Sequence, residues 1–555
     1  MKTKLIITCL ILTINFTAIA ETTIIHNIHG NSINQHKLVQ FSAIAFADGR
    51  VLGIDTKASL HKLHPDAKLI NGNGQALLPG LHDAHGHVLG LAKLKNEVNL
   101  MGATSIDESL EIIQKFIDEH PHNNWILGRG WNQALWKDNK FPTFADLDKL
   151  KTDKPIWLRR VDGHAGWANS KAMEIAKSNQ HIKDMPGGEI IIDHNGIQIG
   201  VFVDNAMSII HQSINSEQTS KHRKLIYQAL IYLASLGITS VDDAGIDWPT
   251  YDAYRTLSEE KRLPIRINAM LASSSSVLPK MLDKGPVSDE GQFLQIHSIK
   301  YVLDGALGSR GAAMIEPYSD RHDTSGLQVQ PTEFLQQLIY ANAKNGWQAA
   351  IHSIGDKANR IAIQILSDKR AQSKESRNRI EHAQIVAFED LIKFKQNHII
   401  ASMQPTHATS DMNMAQDRVG RQRLRGAYAW QTLIKKGVVI ASGSDFPVEL
   451  ANPFYGLHAA VTRQDRNNLP ENGWIPIEKM SVTQALESFT YNAAYANRRE
   501  STLGSLEIGK WADFILVDQD IFTIAPEDIW KTQVLQTWVA GKIVYEKYIK
   551  NLENF

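Results

Sequence analysis

The sequence predicts an α/β protein: a (β/α)8 TIM-like barrel, a small β-sandwich formed by both termini, and an inserted subdomain after the first barrel strand. Three observations point there. Eight short apolar runs alternate with helical stretches through the middle of the chain, the signature of βα units. Both ends are rich in short β segments set off by Gly and Asn turns, so they read as two parts of one β unit. His85 to Asp445 spans 360 positions. A bare barrel takes about 250, which leaves roughly 110 to be housed elsewhere.

The elements follow in order. Residues 1–20 (MKTKLIITCLILTINFTAIA) have a basic start at Lys2 and Lys4, an apolar run from Leu5 to Ile14, and the small-x-small triplet Ala18-Ile19-Ala20. This is the pattern of a cleaved export signal, and the apolar run is shorter than the ~20 residues a membrane span needs. The sequence therefore predicts a periplasmic or secreted protein with no membrane anchor after cleavage. Its single cysteine, Cys9, would leave with the signal. Disulfides and thiolate ligands are then excluded, and a metal site must be built from His, carboxylate or modified Lys. Residues 21–74 form the N-terminal part of the β-sandwich and 504–555 its C-terminal part. Residues 75–503 form the barrel, with the insertion at about 96–217. The predicted barrel strands are Gln75–Leu81, Gly237–Val241, Pro264–Leu271, His297–Leu303, Trp347–Ile351, Arg379–Glu381, His398–Met403 and Val438–Ser442.

Composition narrows the function. With 59 Lys+Arg against 59 Asp+Glu, the charge gives no reason to expect nucleic acid or a membrane as partner. No Gly-x-Ser-x-Gly elbow or phosphate-cradling loop occurs, so a small molecule handled by other means is expected. Self-association into a homo-oligomer stays open.

In such a barrel the chemistry sits at the C-terminal ends of the strands. His85 and His87 follow the first predicted strand, Lys300 lies in the fourth, and His352, His382 and Asp445 follow the fifth, sixth and eighth. Imidazole and carboxylate are the donors that a borderline divalent cation such as zinc prefers. One His-x-His means little among 22 histidines, and His120-Pro121-His122 is a second one with no strand before it. Position discriminates, because independent accidents would not fall at successive strand ends of one count. Asp83, between strand and His pair, reads equally as a turn cap or as a carboxylate orienting a ligand imidazole. Arg310, in the small-residue loop after strand four, could bind an anionic group or simply pair at the surface.

These motifs resemble the amidohydrolase superfamily, and within it the amidohydrolase family 3 branch that includes N-substituted formamide deformylases. The matching segments are LLPGLHDAHGH (Leu77–His87), GITSVDDAG (Gly237–Gly245), IKYVLDGALGSR (Ile299–Arg310), AIHSIGD (Ala350–Asp356), RIEHAQ (Arg379–Gln384), SGSDFPV (Ser442–Val448) and GSLEIGKWADFILVD (Gly504–Asp518). His82 departs from the apolar residue that many members carry before the Asp.

The resemblance implies one or two divalent ions, zinc foremost. His85 and His87 would hold one, His352 and His382 another, and Asp445 would bind beside the attacking water and serve as the catalytic base. A cation of this kind lowers the pKa of bound water from about 15.7 toward about 7. It also implies a carboxylated Lys300, since a protonated ammonium beside two cations would be repelled. A Lys300–Asp304 ion pair is the alternative. Trp131 and His164 resemble positions lining the substrate pocket.

The expected reaction is hydrolysis of a non-peptide C–N bond: an amide, N-formyl or N-acyl amine. Esters, lactones and phosphotriesters are open to the same attack, and an exported binding protein that keeps only the fold is the non-enzymatic alternative. A deaminase fits less well, because no Glu follows His352 in Ser353-Ile354-Gly355.

Overall fold

The computed structural model describes residues 21–547, apart from 179–184, 215–218 and 373–375. The export signal predicted over 1–20 lies outside the described residues.

Eight parallel strands form the barrel: Leu81–Gly86, Ile238–Ile246, Arg266–Ala272, Leu294–Val302, Gln348–Ser353, Arg379–His382, Ile400–Met403 and Ile440–Ser442. Their apolar residues, among them Ile267, Ile299, Ile351, Ile380 and Ile440, are buried in one large core shared with the surrounding helices. The parallel register sets Val302 against His352 and His352 against Glu381, so Lys300, His352 and His382 approach the same rim. Between the first and last strands the seam is closed by amides: Asp445 N–H donates to His85 O at 2.7 Å and His87 N–H to Phe446 O at 2.7 Å.

The first strand is a correction. The predicted run Gln75–Leu81 is divided at Gly80, because Lys68–Pro79 joins the sheet of the termini and only Leu81–Gly86 joins the barrel. Gly80 is required for the crossing, since a Cβ there would meet Thr239 Oγ1 at 2.2 Å. One apolar stretch serves two sheets, and hydrophobic pattern alone does not show where the chain changes partner.

The termini share one seven-stranded sheet built from Thr23–Asn34, Lys37–Ala47, Arg50–Asp55, Lys68–Pro79, Phe514–Val517, Val534–Val539 and Lys542–Glu546. Phe46 and Trp538 lie on strands four places apart, yet their rings are 5.6 Å apart. Strands spaced about 4.8 Å apart could not bring them together in a flat sheet, so the sheet curls over its own core of Ile25, Phe41, Phe46, Leu77, Phe514 and Trp538. Within the predicted insertion, a six-stranded sheet from Val98 to Asp204 carries a separate core on each side: Trp131 with Trp167, and Trp157 with Phe202. No helix among the described residues is long and apolar enough to cross a membrane.

A charged network lies buried in the barrel. Arg379, fully buried, donates to Asp242 at 2.8 Å, to Glu381 at 2.5 Å, and to Ser402 and the Ala84 carbonyl. Asp242 also takes His82 Nε2 at 2.7 Å and Asn497 Nδ2. Burial pushes the Asp242 carboxyl up, but His82, Arg379 and Asn497 outweigh it and hold the group below its ordinary 3.8. A carboxyl depressed in the folded state stabilises above its unfolded pKa and stops doing so as pH falls through the folded value. Asp242→Asn should therefore melt several degrees below wild type at neutral pH, and the gap should close only below pH 3.8. A gap constant from pH 7 to pH 2 in thermal scans would contradict this.

Candidate metal centre

At the C-terminal rim of the barrel four imidazoles stand in a row. Ring centroids are 5.6 Å apart for His87 and His85, 4.8 Å for His85 and His382, and 4.5 Å for His382 and His352. Asp445 faces them, with Oδ1 at 3.2 Å from His87 Nε2 and 3.8 Å from His85 Nε2. Donor atoms of His85, His382 and Asp445 lie within 4.8 Å of one another. The three that converge take one histidine from each expected pair, with His87 and His352 at the two ends of the row. His382 and Asp445 both have left-handed backbone (φ 73° and 61°), a strain that concentrates at functional sites.

Lys300 is buried among these groups, its Nζ 3.0 Å from His85 Nε2. Burial pushes its ammonium down to about 8. Asp304, the partner weighed for it, instead accepts backbone amides from Ala313, Ile354 and Gly355. That carboxylate ties the turn after His352 to the loop after the fourth strand.

Several orienting groups were not visible in the sequence. Glu381 Oε2 accepts from His85 Nδ1 at 2.5 Å, which puts the ring's lone pair on Nε2, the nitrogen that faces Lys300 and the site. Gln404 Oε1 does the same for His382 Nδ1 at 2.8 Å. His407, on the helix after strand seven, comes within 3.5 Å of Asp445 Oδ2. Glu381 and Gln404 each lie one residue from a strand end, the one signal that could have singled them out, whereas His407 sits four residues past Met403 on the following helix.

Three sequence expectations are corrected. Asp83 does not touch an imidazole: it accepts from Ser444 N–H, Ser444 Oγ and His85 N–H, stitching the first strand to the segment after the last. Orientation of the His85 ring falls to Glu381. Trp131 is fully buried in the core of the inserted subdomain, its indole N–H on Leu158 O, and its neighbours Gly130 and Asn132 line the cavity instead. Arg310 pairs with Asp320 at 2.8 Å, and Arg160 and Arg466 are the guanidiniums on the cavity wall.

His164 does reach the site. The inserted subdomain brings its ring to 5.0 Å from that of His352, with Nδ1 2.6 Å from Asp204 Oδ1. Burial alone would push the His164 imidazole down, but the Asp204 carboxylate holds it up at about 9. A cavity of about 540 Å³ lies over Lys300, His352, His382 and Asp445 and is roofed by Asn132, Arg160 and His164.

The donor set suits a divalent cation. His352 Nε2 and Asp445 Oδ1 are buried with no hydrogen-bond partner among the described residues. Burial and neighbouring cations hold His352 and His382 well below their ordinary values, so these rings are neutral. Burial opposes ionisation of Asp445, yet His87, His85 and His382 keep its carboxyl well below the usual range. Neutral imidazoles around a carboxylate, with lone pairs unused, are a ligand set rather than a hydrogen-bonded core.

The sequence pattern of the amidohydrolase family matches residues 68–545, most of the chain. The chain belongs to that family. It is 32% identical over 522 residues to the Arabidopsis thaliana protein LONG AFTER FAR-RED 3, covering 91% of this chain and 88% of the relative. It is 25% identical over 521 residues to an N-substituted formamide deformylase of Arthrobacter pascens, covering 91% and 95%. Among solved structures, an uncharacterized metal-dependent hydrolase from Pyrococcus horikoshii superposes with a TM-score of 0.72 at 25% identity, covering 91% of this chain and 99% of that one. This amidohydrolase is thus a metal-dependent hydrolase on a TIM-like barrel.

Proposed function

We propose that the protein hydrolyses a non-peptide C–N bond, of an amide, N-formyl or N-acyl amine, in a small molecule. The observation that carries the reading is the convergence of His85, His382 and Asp445 within 4.8 Å, beneath a cavity roofed by a charged imidazole. Similarity to the N-substituted formamide deformylase supports the choice of bond. His85, His87, His352, His382 and Asp445 would hold one or two divalent ions, zinc foremost. Such an ion, when bound, makes water acidic enough to attack at neutral pH and polarises a carbonyl.

The chain's own groups supply the rest. Asp445 Oδ2 takes the proton from the attacking water and passes it to the leaving nitrogen, which departs as an amine. His164, braced by Asp204, donates a hydrogen bond to the carbonyl oxygen as negative charge gathers there. Glu381 and Gln404 fix which nitrogen of His85 and His382 faces the site. The neutral amine of Lys300 adds CO2, forming an N–C bond and losing a proton, to give a carbamate with two further oxygen donors. The leader over residues 1–20 supports export to the periplasm or medium.

Elemental analysis of the mature protein, followed by turnover of matched N-formyl, N-acetyl and ester substrates, tests the reading. Bound zinc and amide turnover above ester turnover are expected, and ester turnover alone would overturn the bond assignment. For Lys300→Ala, metal content should fall and kcat/KM drop by about 10² or more, since weakened ligation commonly costs 10–100-fold. Full metal loading in that variant would remove Lys300 from the ligand set.

A further inference from the structure

A second cavity, of about 940 Å³, opens between the barrel and the inserted subdomain. His87 and His164 of the centre line it, and so do Lys93, Arg129 and Arg159. The strands Ile126–Trp131 and Ile156–Arg160 run parallel with Arg129 directly opposite Arg159, so the two guanidiniums leave the same face of the sheet. Like charges so placed repel each other.

Few counter-charges answer them. Glu97 lies 3.6 Å from Arg159 and is the one carboxylate within 4 Å of either arginine among the described residues. Arg129 is only 4% exposed, yet its guanidinium makes one hydrogen bond among the described residues, from Nη2 to Val161 O at 2.7 Å, and its Nε has no partner. By contrast Arg160, on the next strand, is held by Gln133, Asn132 and Asp162. The other carboxylates on the wall are already engaged: Asp162 by Arg160, Asp243 by Tyr254 Oη and Val88 N–H, and Asp247 by the Thr250 amide it caps. His211, on the same wall, is pushed down to about 4 by burial and by Arg159 and Lys93, a further sign of positive field. Burying a cation with its donors unused is costly unless a ligand supplies the missing charge.

We propose that this cavity binds an anionic group, carboxylate or phosphate, carried by the substrate away from the bond that is cut, with Arg129 as its main contact and Arg159 beside it. The proposal rests on the hydrolase reading only in assuming that the substrate's other end lies at His87 and His164. It narrows the substrate class to amides that bear an acid.

The zinc-loaded enzyme is tested in two arms. In the first, sulfate at matched ionic strength against chloride should raise the Tm of wild type more than that of Arg129→Met or Arg159→Gln. In the second, 4-(acetamidomethyl)benzoate should be preferred over N-acetylbenzylamine by about tenfold or more in kcat/KM, mostly through KM, as one charge-assisted contact allows. That preference should collapse toward unity in Arg129→Met and be partly kept in Arg129→Lys. Equal sulfate shifts in wild type and in both variants would overturn the site whatever the turnover. Absence of turnover with both amides would instead refute the C–N reading, leaving the sulfate arm to decide on the anion site.

Discussion

Asp445→Asn is expected to lower kcat/KM by about 10³ or more, because a positioned proton acceptor is worth roughly 10²–10⁴ and this one also faces the metal donors. The substitution is suited to the question. Asn occupies the same volume and tolerates the left-handed backbone at this position (φ 61°), so the seam bond from residue 445 N–H to His85 O persists. The lost property is the negative charge between His87, His85 and His382. Metal-free variant and wild type should therefore melt as equally cooperative units, while turnover of any substrate collapses across the pH range. Turnover within about tenfold of wild type would remove Asp445 as the acceptor.

The largest stability effect is expected from Arg379→Met. Arg379 is fully buried and holds two buried carboxylates, Asp242 at 2.8 Å and Glu381 at 2.5 Å, besides the carbonyl of Ala84. Methionine fills much of the space but leaves both anions without their cation, and removing one partner of a buried pair costs about 3–5 kcal/mol. Glu381 would then protonate or turn, and the hydrogen bond that fixes the His85 ring would go with it. Denaturant unfolding should show the lower midpoint, and elemental analysis a parallel loss of metal. A stable variant with full metal content would show that Glu381 and Asp242 need no cation and that the network does not orient His85.

Reading the sequence located His85, His87, Lys300, His352, His382 and Asp445 because each stands at or near the end of an apolar run, and the structure brings all six to one rim. The family resemblance, by contrast, implied Trp131 as a pocket residue, and the lining falls to Gly130 and Asn132 on either side. In a strand a shift of one residue exchanges one face for the other, and a short insertion strand buried on both sides has no polar alternation to set the register. Arg310 shows the matching limit for charge. A guanidinium next to a glycine loop is a ligand contact or a surface pair according to where Asp320 lies, ten residues on.

Local pattern by itself determined the βα alternation, the β-rich ends and the order of donor side chains, since each depends on residues near one another in the chain. Only the tertiary structure decided where the first strand changes sheet at Gly80, which carboxylate turns which imidazole, and that Arg129 is buried with its Nε unpartnered among the described residues. Glu381 and His85 are 296 residues apart, and Asp204, at the end of a strand, reaches His164 in a turn 40 residues earlier. Orientation and charge balance are properties of neighbours in space, and no period along the chain encodes them.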